Sequence, residues 1–122
     1  MTGPQSRGPV ISGGPELEAV GRYVLARVLT FTQISASAFA DKTDGSRPIS
    51  LARGLAAYLM HVELELDQVT CARVLPITRQ AIGQAAEKIE ELREDPAMDA
   101  AIEILAADVR RRFAGRAAAN DN

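Results

Sequence analysis

The sequence is poor in aromatic residues, cysteine and histidine. Phe and Tyr make up 4% of the 122 residues, Trp is absent, and there is one cysteine, Cys71, and one histidine, His61. A core with so few rings has to be built from Leu, Ile, Val and Ala, which favours packed helices over a β-sandwich. A single cysteine excludes an internal disulfide, and Cys71 and His61 alone are too few ligands for a zinc site. We therefore expect an all-α protein with no metal and no cofactor.

Long apolar runs and an excess of positive charge are missing as well. No apolar stretch approaches the roughly 18 residues that cross a bilayer, and the first 15 residues lack the apolar segment of a secretory signal. These absences predict a cytoplasmic protein without a membrane partner. The formal net charge is −2, so the chain as a whole is not the basic protein expected of a strong nucleic-acid binder. Any contact with nucleic acid has to come from a local patch.

The chain has the length of one domain, and it carries helical periodicity. Residues 1–15, rich in Gly and Pro, predict a disordered leader, residues 16–114 a helical domain, and residues 115–122 a disordered tail. Apolar residues at steps of three or four predict helices over about 16–31, briefly around 34–39, and over 51–65, 67–74 and 78–94, and a last helix that begins near 96 and ends before Gly115. The sequence therefore predicts a small bundle of about five to six helices.

The same spacing predicts the core. The apolar stripe of the long helix, which we expect Ser50 to cap, consists of Leu51, Leu55, Tyr58, Leu59, Val62 and Leu66. Later helices contribute Val69, Ala72, Ile82, Ile89, Ile102, Leu105 and Val109. Asp67, Thr78 and Asp95 are predicted N-caps, and Pro96 suits the first position of the last helix. Cys71 is most simply a small buried residue.

Residues 67–94 form a helix-turn-helix candidate. A short helix at 67–74 is followed by a turn containing Leu75, Pro76 and Ile77, and a longer helix begins at Thr78. Spacing alone is a weak signal for DNA binding, because many helical bundles contain such a corner. The sequence contains no glycine-rich phosphate loop and no nucleophile elbow, and His61 has no catalytic partner motif. We therefore do not expect an enzyme.

The sequence around this corner resembles a known family. Residues 53–64, RGLAAYLMHVEL, and 85–96, AAEKIEELREDP, are similar to the C-terminal DNA-binding domain (domain IV) of DnaA, the bacterial replication initiator. The likeness is greatest to free-standing alphaproteobacterial relatives that lack the ATPase domain, and it covers about residues 50–105. It implies an all-α fold with a helix-turn-helix, binding of double-stranded DNA in the major groove, and a role in replication initiation or transcription.

The candidate DNA-binding residues fall into two groups. The start of the second helix of the corner would present Thr78, Arg79, Gln80, Gly83 and Gln84 to base edges, where Arg can bind guanine and Gln adenine. Arg47, Ser50 and Arg53 lie where the family places its basic loop and a backbone-contacting Arg, so they are candidate phosphate or minor-groove contacts. For both groups, ordinary solvated surface residues are the alternative interpretation.

A second function stays open at this point. Residues 76–82, PITRQAI, stand where the family usually has the pattern G-R-D-[HR]-[ST]-T-V, and residues 48–95 carry five basic residues against eight acidic ones. A negative balance opposes the approach of phosphates unless the acidic residues lie on the far face. The alternative is a non-catalytic protein-interaction module that mimics the initiator's DNA-binding domain and binds replication-initiation proteins, either the initiator or its regulators.

Overall fold

The computed structural model describes residues 15–113, which form helices and connecting segments and contain no strand. The helices are α1 (Pro15–Thr32), α2 (Ala36–Ala40), α3 (Arg47–Tyr58), α4 (Gln68–Val74), α5 (Arg79–Leu92) and α6 (Pro96–Arg112). The all-α prediction is confirmed. Apart from Pro15, which begins α1, the predicted leader and tail lie outside the described residues. None of the helices in residues 15–113 is long and apolar enough to cross a membrane.

Three helices begin at the N-caps that the sequence predicts. The Asp67 side chain accepts a hydrogen bond from the Thr70 amide at 2.9 Å, and the Thr78 hydroxyl accepts one from the Ala81 amide at 3.2 Å. Asp95 caps α6 in the same way. Each cap satisfies an amide that the helix itself leaves unpaired, so these three starts are fixed by local chemistry.

The start of α3 differs from the prediction. The helix begins at Arg47 with Ser46 as its N-cap, whereas Ser50 lies inside the first turn and donates its amide to the Ser46 carbonyl at 2.9 Å. Pro48 allows this early start, because a proline in the first helical turn removes an amide that has no intrahelical partner. The predicted cap at Ser50 is therefore wrong, and helix replaces part of the predicted turn.

The central helix of the protein consists of α3 and its continuation through Glu63, and it widens after Tyr58. Residues Leu59–Glu63 form a π-helical turn, in which the Leu64 amide donates to the Leu59 carbonyl at 3.0 Å. A π turn has more residues per turn than an α-helix, so the side chains that follow it leave the inward stripe. As a result Met60 is buried and Val62 is 37% exposed. The prediction that Val62 lies in the core is wrong.

Two further core predictions are wrong for a similar reason of helix phase. Leu51 is exposed because Ile49 and Ala52 take the inward positions at that end of α3. Val69 is exposed because the inward positions of α4 belong to Thr70 and Cys71.

The core itself lies where α3 crosses α5, with α1, α4 and α6 packed around it. The predicted core residues that the structure buries completely or almost so are Leu55, Tyr58, Leu59, Leu66, Ile82, Ile89, Ile102, Leu105 and Val109, whereas Ala72 is half-buried. At the crossing, Gly54 of α3 faces the backbone of α5: a Cβ there would lie 3.4 Å from the Ala85 carbonyl oxygen. The central helix is therefore held close to α5. The N-cap and first turns of α5 carry one of the two groups of candidate DNA-binding residues.

An ion-pair network joins the far end of α5 to α6 and to the π turn. Arg93 donates from Nε to Asp99 and from Nη2 to Glu103, both at 2.5 Å, and from Nη1 to the Tyr58 hydroxyl at 3.1 Å. The Tyr58 hydroxyl in turn donates to Glu63 at 2.9 Å. Burial raises the pKa of Tyr58, and the Glu63 carboxylate beside it adds to that effect. The network fixes where α5 ends.

Candidate nucleic-acid interface

The corner between α4 and α5 is built as the sequence predicts. The Leu75 amide donates to the Cys71 carbonyl at 2.9 Å, which closes α4, and Leu75 itself adopts an extended backbone. The Leu75 side chain is buried in the core, so it attaches the turn to the rest of the domain. Pro76 follows, and a proline cannot donate the amide that would continue α4. Thr78 then caps α5 two residues later.

The first turns of α5 present three of the predicted residues to solvent. Arg79, Gln80 and Gln84 are exposed, whereas Ile82 and Ala86 point into the core. Within residues 15–113 the Arg79 guanidinium has neither an ion-pair partner nor a hydrogen-bond acceptor. Five donors in a planar fork are therefore available at the start of the helix.

Gly83 lies where α5 meets α4. It is half-buried, and a Cβ at this position would lie 3.6 Å from Nε2 of Gln68, an ordinary van der Waals distance. The position therefore faces α4, and it has room for a methyl group.

The second predicted group lies on α3 and the loop before it. Arg47 and Ser50 are exposed in the first turn of α3. No hydrogen bond or ion pair within residues 15–113 links them to the group at the start of α5. The fold therefore brings Thr78, Arg79, Gln80, Gly83 and Gln84 together at the start of one helix, and it places Arg47 and Ser50 in the first turn of another.

Arg53 has a different environment from that of its two companions. Its guanidinium donates to the backbone carbonyls of Asp41 at 2.6 Å, Asp44 at 2.9 Å and Phe39 at 3.0 Å, and it lies 5.9 Å from the centre of the Phe39 ring. Asp41 and Asp44 belong to the segment that links α2 to α3, and Phe39 lies in α2. Arg53 therefore holds that segment against α3, a role that its spacing in the sequence did not reveal.

Acidic residues lie on the same side of α5 as the two glutamines. Glu87 follows Gln80 by seven residues and Glu91 follows Gln84 by seven, spacings that return to one helix face. Both are exposed, and neither has an ion-pair partner within residues 15–113. Glu87, the first of them, lies about 10 Å further along the helix axis than Gln80, because an α-helix rises 1.5 Å per residue. The outward face of α5 is thus neutral to basic at its start and acidic toward its end.

His61 and Cys71 both make contacts that serve the fold. His61 Nδ1 lies 2.8 Å from the Leu66 carbonyl oxygen, so this ring nitrogen donates there. Cys71 is fully buried, and burial raises the pKa of its thiol to about 12. In residues 15–113 no cluster of His, Cys, Asp and Glu side chains is arranged to hold a metal ion.

No protein-family model, no curated protein and no solved structure matches the chain.

Proposed function

We propose that this protein binds double-stranded DNA by inserting the first turns of α5 into the major groove. The observation that carries the proposal is the exposed guanidinium of Arg79, which is unpaired within residues 15–113 and lies beside Gln80 and Gln84 at the start of a helix that a capped corner holds in place. Arg can donate two parallel hydrogen bonds to guanine, and Gln can pair with the edge of adenine. Exposed donors at the beginning of a second helix are what a helix-turn-helix uses to read bases.

Phosphate contacts are assigned to Arg47 and Ser50, which lie exposed in the first turn of α3. Such contacts set the register of a protein on the duplex without reading its sequence. Arg53 is assigned as a positioning residue, because its Nη donors already bind the carbonyls of the segment that leads to Arg47.

The resemblance to the DnaA C-terminal domain supports a role in replication initiation or transcription. It rests on α3 and on the end of α5, whereas residues 76–82 depart from the family's usual reading residues. The preferred DNA sequence therefore has to be measured for this chain.

A protein-interaction module is the second candidate, and the acidic half of the α5 face favours it. Glu87 and Glu91 lie beyond Gln84 on the same side, where a deeply inserted helix would bring them toward phosphates. In this alternative the same face binds a replication-initiation protein and not DNA.

Titration of the full-length chain with labelled duplexes tests the proposal. One duplex carries a mixed sequence and one carries initiator boxes, and a selection from random duplexes supplies preferred sites. We expect binding that weakens as salt increases. Arg79→Ala should weaken preferred sites more than random DNA, by about 1–3 kcal/mol. Arg47→Ala should weaken all duplexes equally and reduce the salt slope by about one.

Arg22→Ala is the matched control, since Arg22 is an exposed arginine of α1 that pairs only loosely with Glu18, at 3.8 Å. It should leave binding unchanged. Absence of binding by the wild-type chain at low salt would contradict DNA binding. The protein-interaction candidate would then be tested by capture of the initiator, which changes at Gln80 and Gln84 should abolish.

Gly83→Ala supplies a probe that separates the surface from the fold. The added methyl group meets only Gln68 at an ordinary distance, and Ala is the better helix former by about 1 kcal/mol. Stability should therefore be kept or raised, and DNA affinity should stay the same, because the added methyl group faces Gln68 of α4 and not the exposed face that carries Gln80 and Gln84. Weakened binding would show that the DNA contact extends to the side of α5 next to α4.

A further inference from the structure

An open groove runs between α1, α2 and the end of α4, and it shares Leu75 and Pro76 with the corner that precedes α5. Its volume is about 360 Å³, and its floor includes Leu25 and Leu29 of α1, Phe39 of α2, and Leu75. None of the lining residues belongs to α3 or α5. A second partner could therefore occupy this groove while the first turns of α5 stay free.

The charge of the groove has one sign. Apart from Lys42 and Arg73, every residue that lines it is apolar. Lys42 is exposed and has no ion-pair partner within residues 15–113. Arg73 pairs with Glu18 at 3.2 Å, but 54% of its side chain stays exposed, so donors remain for a further carboxylate. The groove thus combines an apolar floor with two cations and has no acidic group among its lining residues.

The open shape indicates what kind of molecule fits. Sites for small ligands bury about 70–90% of the ligand's surface, which an open groove cannot do. A peptide can place large side chains on the floor while its backbone and flanking residues extend along the rim. Its complement to Lys42 and Arg73 is Asp or Glu.

We propose that this groove docks a segment of a partner protein in which large apolar side chains are flanked by carboxylates. The proposal goes beyond DNA binding and does not depend on it. Together the two sites would make the chain an adaptor, with α5 for one partner and the groove between α1 and α4 for another.

The probe is a short synthetic peptide in which Leu and Phe alternate with Asp and Glu, added to the full-length chain without DNA. A matched peptide replaces the acidic residues by Lys. We expect the acidic peptide to bind at least tenfold more tightly than the basic one, and its affinity to fall as salt increases. In an NMR titration the largest shifts should fall on Leu25, Leu29 and Val74.

Two variants and one control locate the site. Ala36→Glu puts a carboxylate at the exposed first residue of α2, where the helix dipole tolerates it, and Lys42→Glu reverses the rim charge. Each should weaken the acidic peptide at least tenfold, whereas Ala100→Glu, on the exposed face of α6, should change nothing.

Equal binding of both peptides, no binding of either, or equal effects of all three variants would overturn the proposal. If Lys42→Glu weakened DNA binding while the acidic peptide did not bind, the rim cations would serve phosphates and the groove would not be a protein-docking site. Peptide binding without DNA binding would sink the DNA proposal alone.

Discussion

The guanidinium of Arg53 donates to the backbone carbonyl of Asp41 across 2.6 Å, although the two residues lie twelve positions apart. With the bonds to Asp44 and Phe39, it holds the segment between α2 and α3. An arginine that looks like a surface cation in the sequence is therefore part of the framework that presents Arg47.

Arg53→Ala should lower the free energy of unfolding by about 2 kcal/mol, because hydrogen bonds to a charged group contribute roughly 1.5–3 kcal/mol. Arg53→Lys should recover only part of this loss, since an ammonium cannot reproduce the planar fork. Arg47→Ala is the control and should change stability by less than about 0.5 kcal/mol, as exposed positions do. Urea unfolding measures all three, and an equally small effect at Arg53 would show that its bonds to the loop do not contribute to stability.

The central helix gives a prediction about its π turn. Leu59→Ala should cost roughly 2–5 kcal/mol, because Leu59 is fully buried and its truncation leaves a cavity. Val62→Ala, three residues later, should cost much less, since Val62 is 37% exposed and lies outside the core. Chemical denaturation of the two variants checks this contrast. Equal losses would mean that the helix continues with ordinary α-helical turns through Val62.

Local signals predicted much of this fold. Asp67, Thr78 and Asp95 each predict a helix start, because a capping side chain accepts a hydrogen bond from an amide only two or three residues away. The corner followed from Pro76 and Thr78 in the same way. Most of the apolar stripe of α5 could also be predicted, because every third or fourth residue of that segment is apolar.

The remaining features depend on contacts that the local sequence does not carry. α1 ends with Gln33 in the left-handed region at φ 61°, and the central helix ends with Glu65 at φ 59°, where a glycine would have marked the stop. The π turn between Leu59 and Glu63 leaves no composition signal. For the candidate site, exposure of Arg79, Gln80 and Gln84 agrees with the prediction from the helix-turn-helix pattern, whereas the partners of Arg53 could be found only from the tertiary fold.

The caps of α5 and α3 provide a matched pair. Thr78 accepts a hydrogen bond from the Ala81 amide, whereas the Ser46 side chain makes no capping bond. Thr78→Ala should therefore cost about 1 kcal/mol and Ser46→Ala much less. Thermal or urea unfolding gives both values. If the two losses were equal, the Thr78 hydroxyl would not cap α5 in solution, and the start of the proposed reading helix would have to be placed elsewhere.

The last prediction concerns pH and the network at the end of α5. Glu103 of α6 accepts hydrogen bonds from Arg93, at 2.5 Å, and from Arg110. The bond from Arg93 and then the bond from Arg110 hold the pKa of Glu103 below its ordinary value of 4.5. Glu103 therefore loses its proton more readily in the folded chain than in the unfolded one.

A carboxylate with a lowered pKa stabilises the fold above its unfolded pKa and loses that contribution as the pH falls through its folded pKa. Above pH 4.5 the wild-type chain should thus be more stable than Glu103→Gln, and this difference should shrink as the pH falls below 4.5. Urea midpoints across this range measure the difference, which added salt should reduce because the pairs are partly exposed. Glu90→Gln is the control, since Glu90 is exposed and has no ion-pair partner within residues 15–113, and its curve should follow the wild type at every pH. A constant gap between wild type and Glu103→Gln would show that these arginines do not hold the Glu103 carboxylate in its charged form.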